Sequence, residues 1–194
     1  MVASLKDIPH HYYSLEEYFA LEKVGEARYE FWDGDIVCMS GGSPQHAIIS
    51  SNIHRILSNK LTGEKCQSFT SDMAIYTPKY PPYRYPDASI VCSEATYKKF
   101  NGNYALENPL LLVEVLSTTT EHADKNQKRL AYQAIKSLQE YILIAQDEAH
   151  VTQYVCEGDF WRIKDYRAME ATNALPSLKV EITLAEIYRG VTFE

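Results

Sequence analysis

Two acidic residues interrupt apolar, strand-like stretches of this sequence. Asp87 directly precedes the stretch 88–92, and Glu114 stands inside the apolar stretch 110–116. A carboxylate in such a strand is costly unless it is paired or bound to a cation. Two of them suggest one shared site, and two carboxylates at short range suggest a divalent metal.

Hydrolysis of a phosphodiester is the chemistry that such a site would support. Asp87 and Glu114 would hold Mg²⁺ or Mn²⁺, and the ion would polarise the phosphate and lower the pKa of a water. A nearby lysine would stabilise the developing charge or help to deprotonate that water. The alternative is structural: Asp87 ends a strand, and Glu114 pairs with an arginine or a lysine.

Two further residues are candidates for the same site. Glu30 lies among aromatic residues before a predicted hairpin, and Lys128 lies on the helix predicted after the strand that contains Glu114. Such a helix packs against the sheet, so that Lys128 or Lys125 can reach the strand ends. The alternative for Lys128 is an ion pair with Asp124 on a solvated helix face.

Three residues are candidates for contact with a substrate. Gln45 and His46 lie near the start of a predicted helix, where an anion such as a phosphate is favoured. Arg84 lies between two tyrosines just before Asp87 and could clamp a nucleic acid strand. The alternatives are that His46 caps or packs the helix, and that Arg84 belongs to an ordinary proline-rich loop.

The predicted elements form a single α/β domain over residues 1–194, because helices and strands mix without a long linker. Predicted helices cover 15–24, 44–62, 122–135 and 184–188. Predicted strands cover 29–32, 36–40, 65–70, 72–76, 87–92, 109–116, 140–145, 150–154 and 160–163, and 77–85 is predicted to be a loop.

Composition excludes several classes of protein. The net charge of −7 argues against a protein that coats nucleic acid nonspecifically. No apolar run reaches membrane-spanning length, and the first residues lack the apolar core of a signal peptide, so a cytoplasmic protein with no membrane partner is expected.

The four cysteines form no C-x-x-C pair. Their side chains are therefore predicted to be small, buried and apolar in their packing, with neither a zinc site nor a disulfide framework.

Taken in order, the motifs resemble those of the Uma-two family, a group of restriction-endonuclease-like proteins in the Pro-Asp…(Asp/Glu)-x-Lys nuclease superfamily. The resemblance covers about residues 12–165. The residues that carry it are Tyr29-Glu30 with Asp33-Gly34, Ser43 with His46, Pro86-Asp87, the stretch 112–117, the set Asp124, Lys128 and Tyr132, and Glu140-Tyr141-Ile142.

The resemblance implies a mixed central β-sheet flanked by helices. It also implies that Asp87 and Glu114 are metal ligands and that Glu30 is the acidic residue of the N-terminal motif. One departure matters, because the superfamily pattern expects lysine where this chain has Leu116. Lys128, from the following helix, is the expected substitute.

The sequence therefore predicts a Mg²⁺- or Mn²⁺-dependent endonuclease acting on DNA, with Asp87, Glu114, Glu30 and Lys128 as the catalytic set. A noncatalytic binding or assembly module with the same fold is the main alternative, which Leu116 and the negative net charge favour. A phosphodiesterase acting on RNA is the other. Homodimerisation is a further expectation, since such nucleases often cut duplexes as pairs.

Overall fold

The computed structural model describes residues 11–24, 28–32, 34–39, 42–78, 83–100, 102–117, 121 and 124–193. The chain forms two compact units, Met1–Ser40 and Gly41–Glu194. The two candidate metal ligands, Asp87 and Glu114, both belong to the second unit.

The described residues of the first unit include a helix and a hairpin. Helix α1 (Leu15–Val24) starts with a capping box, in which Glu17 N donates to Ser14 Oγ (3.2 Å) and Ser14 N donates to Glu17 Oε2 (2.7 Å). Strand β1 (Arg28–Trp32) pairs antiparallel with β2 (Asp35–Met39). The predicted hairpin is confirmed, although Asp33 of its turn lies outside the described residues.

The second unit contains a large mixed sheet and a smaller one. The large sheet has the order β12-β11-β10-β9-β6-β3, in which only β9 and β10 are parallel neighbours. The smaller sheet has the order β5-β4-β8-β7, and β13 pairs with β14 in a separate hairpin. The strands are β3 (Gln67–Thr70), β4 (Ala74–Tyr76), β5 (Tyr83–Arg84), β6 (Ala88–Val91), β7 (Tyr97–Phe100), β8 (Asn103–Leu106), β9 (Leu111–Leu116), β10 (Glu140–Ala145), β11 (Val151–Glu157), β12 (Phe160–Tyr166), β13 (Thr172–Leu175) and β14 (Val180–Thr183).

Helix α2 (Pro44–Lys60) is the longest described helix. Ser43 caps it, because its Oγ accepts a hydrogen bond from His46 N (3.1 Å), and Pro44 occupies the first helical position. A π-helical turn (Asp124–Lys128) leads into α3 (Arg129–Gln133), and a capping box opens the short α4 (Leu184–Ile187). None of the described helices is long and apolar enough to cross a membrane.

The large sheet separates two apolar cores. The helix core, against α2, contains Val113 and Val115 of β9. The tyrosine core, on the opposite face, contains Leu112, Leu116 and Tyr132. Because side chains alternate along a strand, Glu114 points to the same face as Leu112 and Leu116. All six residues of β9 are buried, as expected for the predicted strand 109–116, which contains the apolar stretch 110–116.

Several predicted elements differ from those observed. The prediction of a loop over residues 77–85 was wrong near its end, where β5 forms and pairs with β4. Four short strands were not predicted: β7, β8, β13 and β14. The helix predicted over 122–135 is observed as the π-helical turn followed by α3, and residues 122–123 lie outside the described part. Strands of two to four residues carry too little periodicity to be recognised from sequence alone.

The predicted state of the cysteines was wrong. Cys66 and Cys92 form a disulfide, with their Cα atoms 3.9 Å apart. They flank the paired strands β3 and β6, in which Gln67 lies opposite Val91, so the sheet register brings the two thiols together. Cys38 is free and exposed, and Cys156 is free and half-buried.

Candidate active site

Asp87, which directly precedes β6, lies opposite Glu114 of the neighbouring strand β9. Ala88 of β6 lies opposite Val113 of β9, and the antiparallel register continued by one residue places Asp87 opposite Glu114. Asp87 is also hydrogen-bonded to β9 directly, because Val115 N donates to Asp87 Oδ2 (2.7 Å). The sheet register therefore places the two predicted metal ligands at opposing positions on neighbouring strands.

The N-terminal half of α2 holds the Asp87 carboxylate from a second direction. Ser50 Oγ donates to Asp87 Oδ1 (3.1 Å), and His46 Nε2 lies 3.5 Å from Asp87 Oδ2. The ring of His46 is held in turn, since its Nδ1 lies 3.4 Å from Ser50 Oγ. Three groups from two elements thus fix the orientation of Asp87.

Glu114 is held by the segment that follows its own strand. Its Oε1 accepts hydrogen bonds from Lys128 Nζ (3.1 Å) and from Tyr132 Oη (2.9 Å). Lys128 Nζ also lies 3.1 Å from Asp124 Oδ1. Glu114, Lys128 and Asp124 are 3%, 2% and 1% exposed. A buried ammonium between two carboxylates offsets charges that would be costly to bury alone.

The predicted ion pair between Asp124 and Lys128 is therefore present, but its predicted solvated position was wrong. The reason is the π-helical turn, which carries both residues against the sheet. Tyr141 Oη of β10 donates to the carbonyl of Asp124 (3.1 Å), and its ring packs edge-on against Tyr132 at 5.3 Å. Turns of this kind occur frequently at functional sites.

His46 has a raised pKa. Burial of the ring is the largest influence and lowers the pKa, but the hydrogen bond to Asp87 and the charges of Asp87 and Asp124 together raise it above 6.5. The imidazole therefore favours the protonated form more than a free histidine does. A cation beside Asp87 balances part of the negative charge of the site.

The donor set fits a hard divalent cation. No cluster of three or more His, Cys, Asp or Glu side chains able to hold a metal is found among the described residues. Mg²⁺ commonly takes one or two protein carboxylates and completes its octahedron with water and phosphate oxygens. Asp87 and Glu114 are the carboxylates that would form such a pair, and carboxylate oxygens also suit Mn²⁺.

The remaining predicted site residues occupy different surroundings. Glu30 is buried in β1, within the first unit, and its catalytic role stays a prediction. Gln45 is half-buried on the first turn of α2. Arg84 is 3% exposed and donates to the carbonyl of Tyr83 (3.1 Å), which argues against contact with a substrate. Lys125 is exposed and pairs with Glu121, so Lys128 is the lysine that reaches Glu114.

The supporting contacts of two residues were not predicted from the sequence, although Tyr132 is among the motif residues. Ser50 follows His46 by one helical turn, and Tyr132 follows Lys128 by one turn. Residues at this spacing share a helix face, so each could have been inferred once its neighbour was placed at the site. Their hydrogen bonds to Asp87 and Glu114 depend on tertiary packing.

Comparison with known proteins identifies a family and two relatives. The Uma2 family, described as "Putative restriction endonuclease", matches residues 15–186. An uncharacterized protein of Synechocystis sp. is 31% identical over 194 residues, which is 100% of both chains. A second from that organism is 35% identical over 143 residues, covering 74% of this chain and 80% of its own.

A solved structure shares the fold. The crystal structure of a protein from Anabaena variabilis, described as "a putative nuclease belonging to DUF820", gives a TM-score of 0.68 at 18% identity. The match covers 84% of this chain and 91% of that chain. It confirms the predicted mixed α/β, restriction-endonuclease-like fold.

Proposed function

Because the chain belongs to the Uma2 family of restriction-endonuclease-like proteins, we propose that it is a metal-dependent endonuclease hydrolysing phosphodiester bonds of DNA. The observation that carries the proposal is the position of Lys128 Nζ, 3.1 Å from Glu114 Oε1. Lys128 is thereby paired with the second motif acid, Glu114, although Leu116 occupies the motif position of the lysine. A lysine supplied from another element can serve the same chemistry, since only the position of its ammonium matters.

The roles of the residues follow from their contacts. Asp87 and Glu114 would hold Mg²⁺ or Mn²⁺, and the ion would supply Lewis-acid activation of a water and offset charge on the phosphate. Lys128 orients the attacking water or stabilises the charge that develops on the phosphate oxygens. Ser50 and the amide of Val115 keep the Asp87 carboxylate in one orientation. Tyr132 does the same for Glu114.

One observation favours a second candidate, a noncatalytic binding or assembly module. Lys128 is paired with both Glu114 and Asp124 in a site that is almost closed to solvent. Such a cluster neutralises its own charges without a metal. In that case the fold is kept, and the lysine serves stability alone.

Nicking of supercoiled plasmid in Mg²⁺ or Mn²⁺ separates the two candidates. We expect wild type to nick DNA, and both Asp87→Asn and Lys128→Met to reduce the rate at least a hundredfold. Lys125→Met is the matched control, because Lys125 is a neighbouring lysine that pairs at the surface. Circular dichroism of each variant establishes that it is folded.

Calorimetric titration with Mn²⁺ tests the metal site independently of cleavage. Wild type is expected to bind the ion, and Asp87→Asn is expected to lose that binding. Absence of both nicking and metal binding in wild type would establish the noncatalytic module. A single-stranded RNA substrate tests the RNA alternative, and sedimentation equilibrium tests the proposed homodimer.

A further inference from the structure

The smaller sheet differs in composition from the rest of the chain. Its four strands contain no acidic residue, although the whole chain carries a net charge of −7. They contain instead three basic residues, Arg84, Lys98 and Lys99, and five aromatic residues: Tyr76, Tyr83, Tyr97, Phe100 and Tyr104. Positive and aromatic side chains are therefore concentrated in one element of an acidic protein.

Part of this set is used in packing the sheet itself. On one face, Phe100 stacks on Tyr83 with ring centroids 3.7 Å apart, and both residues are 6% exposed. Lys98 lies on the same face, with its Nζ 4.8 Å from the ring centre of Tyr76. These side chains are already engaged by their neighbours.

On the other face of the β7–β8 hairpin, two tyrosine rings are exposed to solvent. Tyr97 lies opposite Leu106 and Lys99 lies opposite Tyr104, so Tyr97, Lys99 and Tyr104 share one face. We call these three residues the hairpin patch. Tyr97 is 41% exposed and Tyr104 is 55% exposed, and their rings meet edge to face at 6.4 Å.

We propose that the hairpin patch binds a single-stranded segment of DNA, with bases stacking on Tyr97 and Tyr104 and with Lys99 contacting a phosphate. This inference rests on the proposed function, since it concerns the substrate of the same site. A nucleotide combines a flat apolar base with an anionic phosphate. Two exposed rings flanking an exposed lysine, without an acid on either strand, are complementary to both parts.

The strand order places the patch at a distance that suits a substrate strand. Two strands, β4 and β8, separate β5 from β7. At the usual interstrand spacing, β7 lies about 14 Å from β5, and the chain reaches Asp87 shortly after β5. At 3.4 Å per nucleotide along one strand, that span is on the order of four nucleotides. A single strand of about that length spans the distance between β5 and the hairpin patch.

The first test measures binding without cleavage. Fluorescence anisotropy of a labelled oligothymidylate of about 20 nucleotides is recorded in EDTA for wild type and for the double variant Tyr97→Ala/Tyr104→Ala. We expect the Kd of the double variant to rise at least tenfold. Phe160→Ala is the matched control, because Phe160 is an aromatic residue on β12 that is at least as exposed (60%) as the two tyrosines. The Kd of this variant should equal that of wild type.

The second test uses two adjacent lysines on opposite faces of β7. Lys99→Ala should lower the slope of log Kd against log salt concentration by about 0.7, which corresponds to one phosphate contact on a single strand. Lys98→Ala should leave the slope unchanged, because Lys98 packs on Tyr76. Equal effects of the two substitutions would contradict a face-specific contact.

A third measurement identifies the contact directly. Ultraviolet cross-linking of an iododeoxyuridine-substituted strand, followed by peptide mass spectrometry, should place the adduct on Tyr97 or Tyr104. The proposal is overturned if wild type does not bind the strand, if the double variant binds within twofold of wild type, or if the adducts lie elsewhere.

The outcomes also separate this inference from the endonuclease proposal. A wild type that binds through the hairpin patch but neither nicks DNA nor binds Mn²⁺ contradicts the endonuclease alone. A wild type that nicks plasmid, together with a double variant that binds and nicks equally well, contradicts the patch alone. Thermal unfolding of each variant verifies that the hairpin is intact.

Discussion

Lys128 and Glu114 form an ion pair, 3.1 Å between Nζ and Oε1, in which both side chains are almost completely buried. Glu114 comes from the central strand and Lys128 from the π-helical turn that follows it. The lysine thereby serves two acids at once, because Asp124 lies within 3.1 Å of the same ammonium. The pair links the stability of the fold to the integrity of the candidate site.

Removing the ammonium should destabilise the protein strongly. We expect Lys128→Met to lower the free energy of unfolding by about 3–5 kcal/mol, because Glu114 and Asp124 would be left buried without a counter-charge. Lys125→Met should cost less than about 1 kcal/mol, since its pair with Glu121 is exposed. Urea denaturation measures both. Equal effects would mean that the buried cluster contributes no more than a surface pair.

The protonation of His46 should depend on Asp87. In metal-free protein, we expect an NMR titration midpoint above 6.5 for His46, since its hydrogen bond to Asp87 and the nearby negative charges outweigh its burial. In Asp87→Asn the burial remains while the carboxylate is gone, so the midpoint should fall below 6.5. A midpoint that does not move on this substitution would show that the pair is absent in solution.

The pair formed by His46 and Asp87 should stabilise the protein more at low pH than at high pH. A raised folded-state pKa means that the contribution is complete below the unfolded pKa of about 6.5 and is lost as pH rises through the folded value. The stability difference between wild type and Asp87→Asn, measured in EDTA, should therefore shrink between about pH 6 and pH 8. An unchanged difference over that range would contradict the assignment.

Lys128 and the disulfide illustrate which features of the structure could be predicted from the sequence and which could not. A helix after a central parallel strand packs back on the sheet, so the approach of Lys128 to Glu114 could be predicted. The burial of Asp124 could not, because it depends on a π-helical turn that has no sequence signature. The Cys66–Cys92 bond follows from the register of β3 and β6, which only the folded sheet defines. The short strands of the smaller sheet were missed for the same reason: their pairing is nonlocal.

Reduction of the disulfide should lower stability. Cys66 and Cys92 are separated by 26 residues, and opening a loop of that size costs about 3.5 kcal/mol in the chain-entropy model. Urea denaturation with and without reductant measures the difference. The double variant Cys66→Ser/Cys92→Ser should not respond to reductant. In the unfolded protein without reductant, only the thiols of Cys38 and Cys156 should react with a thiol reagent. Reaction of all four thiols would show that the bond does not form.

Two serines near Asp87 should respond in opposite directions. Ser89 Oγ is buried and has no hydrogen-bond partner within the described part of the chain, so Ser89→Ala should leave stability unchanged or raise it by about 1 kcal/mol. Ser50→Ala should lower it by about 1–2 kcal/mol, because Asp87 loses a donor. Thermal and urea unfolding of the two variants make the comparison. Destabilisation by Ser89→Ala would indicate that its hydroxyl is bonded in solution.

The π-helical turn makes the site sensitive to the number of residues as well as to their identity. Each residue of an α-helix advances the chain by about 100°, so deletion of Leu130 from α3, with the wide turn retained, would rotate Tyr132 relative to Asp124 by about that angle. Every acid and lysine would still be present in such a chain. A relative that carries the same residues with a different spacing here can therefore match the sequence pattern and still lack the buried cluster.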